Sequence, residues 1–296
     1  MMSVVAWSAL LPVLAVFNLL AWALVAAAHW RRQAVLAVRV LESRRLQLLF
    51  SAGYVMGCAW RSVLPVFDVP RVALVDSAFS SALVGRSVAT IAELCFIAQW
   101  ALMLRDTSRA TGSLITGLAS RVVVPLILVA EICSWYSVLS TSNLGHVFEE
   151  SLWSLATGLI VASLVAQWRR LDSRWRTAST WLVAAGLGYF GYLVLVDVPM
   201  YWSRWMADEL AGKQYLSLAE GLRDALGRRV VTYRWDVWKS EMAWMTLYFS
   251  VAVWVSIWLV RAPVLRARSA LRRQPSSPSF FRAISSSSAR NRTACP

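Results

Sequence analysis

The stretch ALVGRSVATIAELCFIAQWALML, residues 82–104, decides the fold. It is apolar over the roughly 20 residues that a helix needs to cross a bilayer, yet it carries Arg86 and Glu93. Six further apolar segments accompany it. Together they read as spans at about 3–28, 46–66, 82–104, 121–140, 147–168, 178–200 and 241–260. The runs are continuous rather than alternating, so helices are expected and barrel strands are not. With 58% hydrophobic residues and a mean hydropathy of +0.54, the chain has more apolar surface than one soluble core would hide. The expected fold class is all-α: an integral membrane protein with a seven-transmembrane-helix bundle over residues 1–262. A disordered, basic, Ser-rich tail is expected over residues 263–296, because it has too little apolar content to fold.

Charge orients the bundle. Twenty of the thirty basic residues fall in four places: Arg31 to Arg45 after segment one, Arg105 to Arg121 after three, Arg169 to Arg176 after five, and the tail from Arg261. Every second connection is basic, which places the N-terminus outside and the C-terminus in the cytoplasm. The inner side holds those 20 against Glu42, Asp106 and Asp172, a net of +17, while the remaining residues sum to −3. Charge so polarised by topology is an insertion signal and an attraction to anionic inner-leaflet lipid. Membrane lipids are thus the implied partners, and nucleic acid is excluded. The sequence does not state the oligomeric state or which membrane holds the chain.

Segment one ends in Ala26-Ala27-Ala28, like a signal-peptide cleavage site, but nothing basic precedes its long apolar run, so it is read as a retained helix. Tryptophans near segment ends, Trp7, Trp153, Trp175 and Trp238 among them, are expected to form an aromatic belt in the headgroup layers. Residues 201–240 are read as an outer loop. Within it Ser217 and Glu220 have capping-box spacing, and a short amphipathic helix is expected to run from there to Gly227.

Several chemistries are excluded. Gly186-Leu-Gly188-Tyr-Phe-Gly191 fits a nucleotide-binding pattern, but it lies inside an apolar helix, where glycines allow close helix approach. The only lysines, Lys213 and Lys239, lie outside the bundle interior, so a retinal Schiff base has no anchor. His29 and His146 fall on opposite faces, so they cannot share a haem, and no cofactor is expected. The only metal candidate is a weak one, His146 with Glu149 and Glu150, and a capping or interfacial histidine is the plainer reading. The topology resembles that of G-protein-coupled receptors. However, Leu104-Arg105-Asp106 reverses their acidic-Arg order, and segment seven has no Asn-Pro-x-x-Tyr.

Ionisable groups inside spans are costly and normally paired or functional. Here they gather in the outer halves, and the inner halves are expected to be almost purely apolar. Arg61, Arg86, Glu93, Glu131, Asp197, Tyr201, Arg204 and Glu241 form the candidate ligand pocket, open to the outer side. Arg86 and Glu93 lie two turns apart, about 10.5 Å along a helix, a spacing expected to be too long for a direct bridge. Arginine forks suit carboxylate or phosphate, so binding or transport of an anionic or lipid-like ligand is the leading expectation. One alternative is an intramembrane enzyme acting on a lipid, with Glu93, Glu131 or Asp197 moving a proton. The other is a structural or assembly subunit, in which these charges only hold the helices together.

Overall fold

A computed structural model describes residues 3–32, 38–171 and 173–262. The tail expected over 263–296 lies outside the described residues. The chain is an all-helical membrane protein with six helices long and apolar enough to cross a bilayer. In chain order the helices are α1 (Val4–Arg32), α2 (Val38–Val63), α3 (Ala82–Thr111), α4 (Leu114–Ser140), α5 (Leu144–Gln167), α6 (Ser173–Tyr192), α7 (Val198–Leu210), α8 (Leu218–Gly227), α9 (Trp235–Leu247) and α10 (Val253–Arg261). A π turn at Leu193–Asp197 joins α6 to α7, and a second at Tyr248–Ala252 joins α9 to α10, giving two long rods. The first π turn has a local cause. Pro199 has no N–H to donate to the Leu195 carbonyl and its ring crowds that turn. In the second, the Ser250 hydroxyl takes the Thr246 carbonyl, drawing it away from its backbone partner.

Local signals explain the boundaries. The α3–α4 hairpin turns in two residues: Gly112 ends α3 in the left-handed region at φ 68°, and the Ser113 side chain accepts from Thr116 N to start α4. Left-handed φ favours glycine because a Cβ is crowded there. The Ser217–Glu220 capping box forms as expected and starts α8. Hydrogen bonds from Ser217 hold the Glu220 carboxyl below its ordinary range. The cap therefore contributes above that range and weakens as acid protonates Glu220.

Consecutive helices α1 to α6 pack side by side, and the α9–α10 rod lies across α1, α2 and α3. The α6–α7 rod rests on α5 and is the least covered of the spanning elements, with 11% of its apolar window buried against 28% or more elsewhere. It meets the α9–α10 rod at both ends: Trp175 stacks edge-on against Trp258, with ring centroids 5.8 Å apart, and Arg204 Nη2 reaches Ser240 Oγ at 3.2 Å. Between those ends, Leu182, Tyr189 and Tyr192 of one rod and Leu247, Val251 and Val255 of the other line a common cavity.

Beyond the helix ends sits a folded cap. Strands β1 (Val66–Phe67) and β2 (Val72–Ala73) form a hairpin, and β3 (Val230–Val231) pairs in parallel with β2. Arg71 ties this cap down: its Nε donates to Asp224 on α8, Nη1 to the Asp68 carbonyl and Nη2 to the Val138 carbonyl, all within 2.8 Å. Ala225 of α8 packs with Val66, Ala73, Ala82 and Val138, so α8 covers the ends of α3 and α4.

Four expectations need correction. The loop expected over 201–240 is mostly helix: the rod runs on to Leu210, where Gly212 at φ 64° stops it, and α9 already begins at Trp235. Trp7, Trp153, Trp175 and Trp238 are buried rather than facing headgroups; Trp7 packs on Trp238, and Trp175 and Trp153 belong to the second core. Of the three glycines on α6, only Gly186 packs closely, against Val161, while Gly188 and Gly191 face open space. The halves opposite the cap are not purely apolar. Gln47, Gln99 and Ser256 bond one another across α2, α3 and α10, and Asn18 accepts from Trp254 and donates to the Phe249 carbonyl.

A Cβ at Gly145 would collide with the Cys133 carbonyl, and one at Gly221 with the Leu139 carbonyl. Gly145→Ala and Gly221→Ala should each destabilise by about 1–3 kcal/mol. Gly188→Ala, placed in open space, should be neutral or gain up to about 1 kcal/mol of helix propensity. Thermal melts of the purified variants in detergent check this, and equal melts for all three would contradict the packing described.

Candidate functional site

Carboxylates from three helices converge on one guanidinium. Arg86 lies about 6 Å below the capped end of α3 and Glu93 about 16 Å below it. Arg86 Nη2 is 3.2 Å from Glu93 Oε2 and 2.8 Å from Glu131 Oε2 on α4, and Nη1 is 3.3 Å from Glu149 Oε1 on α5. All four side chains are buried. The Arg86–Glu93 contact overturns the expectation that their spacing is too long. Helical side chains lean toward the N-terminus, so Glu93 tilts back toward Arg86, and the long arginine side chain covers the rest.

Each carboxylate is held by a further donor. Thr90 gives its hydroxyl to Glu131 Oε2 at 2.6 Å and accepts from Trp135 Nε1 at 3.1 Å. Tyr248, at the start of the second π turn, donates to Glu93 Oε1 at 3.2 Å. His146 Nδ1 lies 2.6 Å from Glu149 Oε2, and its ring packs on Tyr201 with centroids 4.9 Å apart. The backbone N–H of His146 donates to Ser137 Oγ, a placement made by the close approach at Gly145. His146 is therefore a buried partner of Glu149, not the capping or interfacial residue expected.

Glu93, Glu131 and Glu149 offer oxygens within 4.8 Å of one another, a spacing compatible with a metal ion. Arg86 already supplies the positive charge at their centre and contacts all three. Of the weak metal set expected, His146 and Glu149 bond each other, and Glu150 bonds neither.

Beside this node lies a cavity of about 470 Å³, a volume in the range of small-molecule sites. Its polar wall carries Arg61, Asp68, Arg86, Glu93, Glu149 and Glu150, joined by His146, Tyr201 and Glu241. Farther from the cap the wall turns apolar, with Ile97, Trp100, Ile160, Val161, Leu182 and Val255. Trp100 is about 27 Å along α3 from the capped end, so the hollow is long, with a polar head and an apolar foot. One side is the slot between the two rods: Gly188 and Tyr192 of α6 face it, as do Leu247 and Val251 of the α9–α10 rod, and these last two are themselves exposed on the outside of the bundle. A second, shallower hollow of about 710 Å³ lies over the cap and shares Phe67 and Val69 with the first.

The other expected pocket residues divide. Arg204 stands at the rim between Phe67 and Tyr201, its Cζ 5.3 and 5.4 Å from their ring centroids, with Glu241 Oε1 at 3.8 Å. Glu131 is not on the cavity wall; its Oε2 accepts from Arg86 and Thr90, and its Oε1 is buried without a hydrogen-bond partner among the described residues. Asp197 is buried in the first π turn near Tyr192, also off the wall. Asp68 and Tyr248 were missed. Asp68 belongs to the cap hairpin, outside any apolar span, and Tyr248 reads as one more aromatic in an apolar run.

Arg61 differs from Arg86. It is 7% exposed, lines the cavity, and makes no hydrogen bond or ion pair among the described residues; its leading charged neighbour is Asp68, and its Cζ lies 6.0 Å from the centroid of the Tyr248 ring. Asp68 Oδ1 is likewise buried without a hydrogen-bond partner.

Arg86→Met should destabilise by roughly 3–5 kcal/mol, because it leaves three buried carboxylates without their cation. Arg61→Met removes no bond and should cost far less. Melts of the two variants in detergent check the contrast, and an equal loss at both positions would show that Arg61 is structural too.

No family model matches the chain, nor does any curated protein or solved structure, so the site is read from its own chemistry.

Proposed function

We propose that the chain is a seven-helix membrane protein, N-terminus outside and C-terminus cytoplasmic, whose cavity binds or carries an anionic or lipid-like ligand. The observation that carries the reading is Arg61, a buried cation with no hydrogen bond or ion pair among the described residues, at the polar head of a cavity with an apolar foot. An isolated buried charge costs several kcal/mol unless it is matched. A phosphate or carboxylate matches a guanidinium through two parallel hydrogen bonds. The slot between the two rods gives such a molecule's tail a way to the bilayer.

The seventh span in this reading is α2, 26 residues long and packed between α1 and α3. Its Glu42, Arg44 and Arg45 lie in its first turns, where Arg44 donates to the Val260 and Ala262 carbonyls. The orientation rests on the charge rule. An impermeant maleimide applied to intact cells should label Gly227→Cys, which faces open space beside the cap, and leave native Cys295 unlabelled until the membrane is permeabilised. Labelling of Cys295 alone would invert the topology.

For the ligand, native mass spectrometry of the purified chain should show co-purifying amphiphile. Arg61→Gln should reduce its retention about ten-fold or more, the worth of one charge-assisted hydrogen bond. Equal retention would remove the binding reading. One observation favours a second reading, an intramembrane enzyme acting on a lipid. His146 is oriented by Glu149 on the cavity wall, the pairing that general bases use. Under that reading a labelled lipid is converted by the wild type and not by His146→Gln.

A further inference from the structure

The charges on the cavity wall do not balance. Two guanidiniums, Arg61 and Arg86, face five carboxylates: Asp68, Glu93, Glu149, Glu150 and Glu241. Arg86 is shared among Glu93, Glu149 and the off-wall Glu131, and Glu241 has Arg204 and Ser240 beside it. Glu150 has no hydrogen bond or ion pair from its carboxylate among the described residues, and Asp68 Oδ1 has none either. So the same hollow presents a guanidinium with no hydrogen bond or ion pair among the described residues, Arg61, whose leading charged neighbour is Asp68, and carboxylates with none, Glu150 above all. Arg61, Glu150 and the Arg86–Glu93 pair all line this one cavity.

A plain anion would satisfy Arg61 but enter a chamber with surplus negative charge. A plain cation would satisfy Glu150 and leave the Arg61 guanidinium without a hydrogen-bonding anion. Only a ligand carrying both signs on one head answers both groups. We infer that the cavity takes a zwitterionic amphiphile, its phosphate on Arg61 and its ammonium at Glu150. This rests on the binding reading above. Tyr189 and Tyr201 line the same cavity as Glu150, and aromatic faces add to the attraction for an ammonium. The apolar foot and the slot between the rods accept the tail.

The test uses the full chain in detergent, titrated separately with phosphatidylethanolamine, phosphatidylcholine, phosphatidylglycerol and water-soluble O-phosphoethanolamine. Binding is read by native mass spectrometry and by thermal shift. The two zwitterionic lipids should bind at least about ten-fold tighter than phosphatidylglycerol. Glu150→Gln should erase that preference while keeping phosphatidylglycerol binding, and Arg61→Gln should weaken all three lipids. Competition by O-phosphoethanolamine would show that the head alone suffices and that a free solute is a source. Its failure to compete, with the lipid preference intact, would assign the site to membrane lipid. Phosphatidylglycerol binding as tightly as the zwitterions, or a preference unchanged in Glu150→Gln, overturns the inference and leaves the binding site standing. If no lipid binds and Arg61→Gln changes nothing, the binding reading itself falls.

Discussion

The position of Arg86 among Glu93, Glu131 and Glu149 is the constraint on which the rest of this structure depends. A charge inside a membrane-spanning bundle must be matched by the protein, because hydrocarbon offers it nothing. One guanidinium with three carboxylates from three helices fixes how α3, α4 and α5 sit against each other. Tyr248 adds the α9–α10 rod through Glu93, and His146 adds Tyr201 of α7 through Glu149. Five of the helical elements thereby meet at one depth. These contacts occupy both terminal nitrogens of Arg86, while its Nε and Glu131 Oε1 are buried without hydrogen-bond partners among the described residues. Arg61 and Glu150 take no part in these contacts, and they face the cavity.

The cavity exists because two rods do not close on each other. Each contains a π turn, and such turns recur at functional sites because they break the regular packing of a helix. The α6 glycines that face the gap carry no side chain to fill it. The cap closes the polar end differently: Arg71 makes three hydrogen bonds that join the hairpin to α8 and to the end of α4. The buried arginines are thus distinguishable by what they touch. Arg71 and Arg86 are ion-paired to carboxylates, and Arg61 has no ion pair among the described residues.

Much of this was legible in the sequence, for definite reasons. Apolar run length located the spanning helices, and Ser217 with Glu220 located α8. The cost of charge in hydrocarbon marked Arg61, Arg86, Glu93 and Glu131 before any geometry was known. The failures are equally physical. Residues 201–210 look like loop because Arg204, Asp208 and Glu209 are polar, yet they continue an amphipathic helix beyond the apolar span. Tryptophan suits both a headgroup layer and a core, so Trp7 and Trp238 could not be placed from position alone. Counting only ionisable groups passed over Gln47, Gln99 and Asn18, whose neutral amides bond across helices. Axial rise alone misjudged Arg86 and Glu93, since it ignores side-chain lean and length. That Arg61 makes no ion pair among the described residues was beyond sequence reasoning, because it depends on where every other charge has gone.

The most direct measurement is a side-chain-resolution cryo-electron microscopy reconstruction of the full chain, purified with its own membrane lipid into nanodiscs. The account predicts continuous density that starts against the Arg61 guanidinium and runs between the two rods toward Trp100, with Arg86 still bound to its three carboxylates. It is contradicted by a slot closed by direct packing of α6 on α10, with Arg61 paired to Asp68 and no density between them.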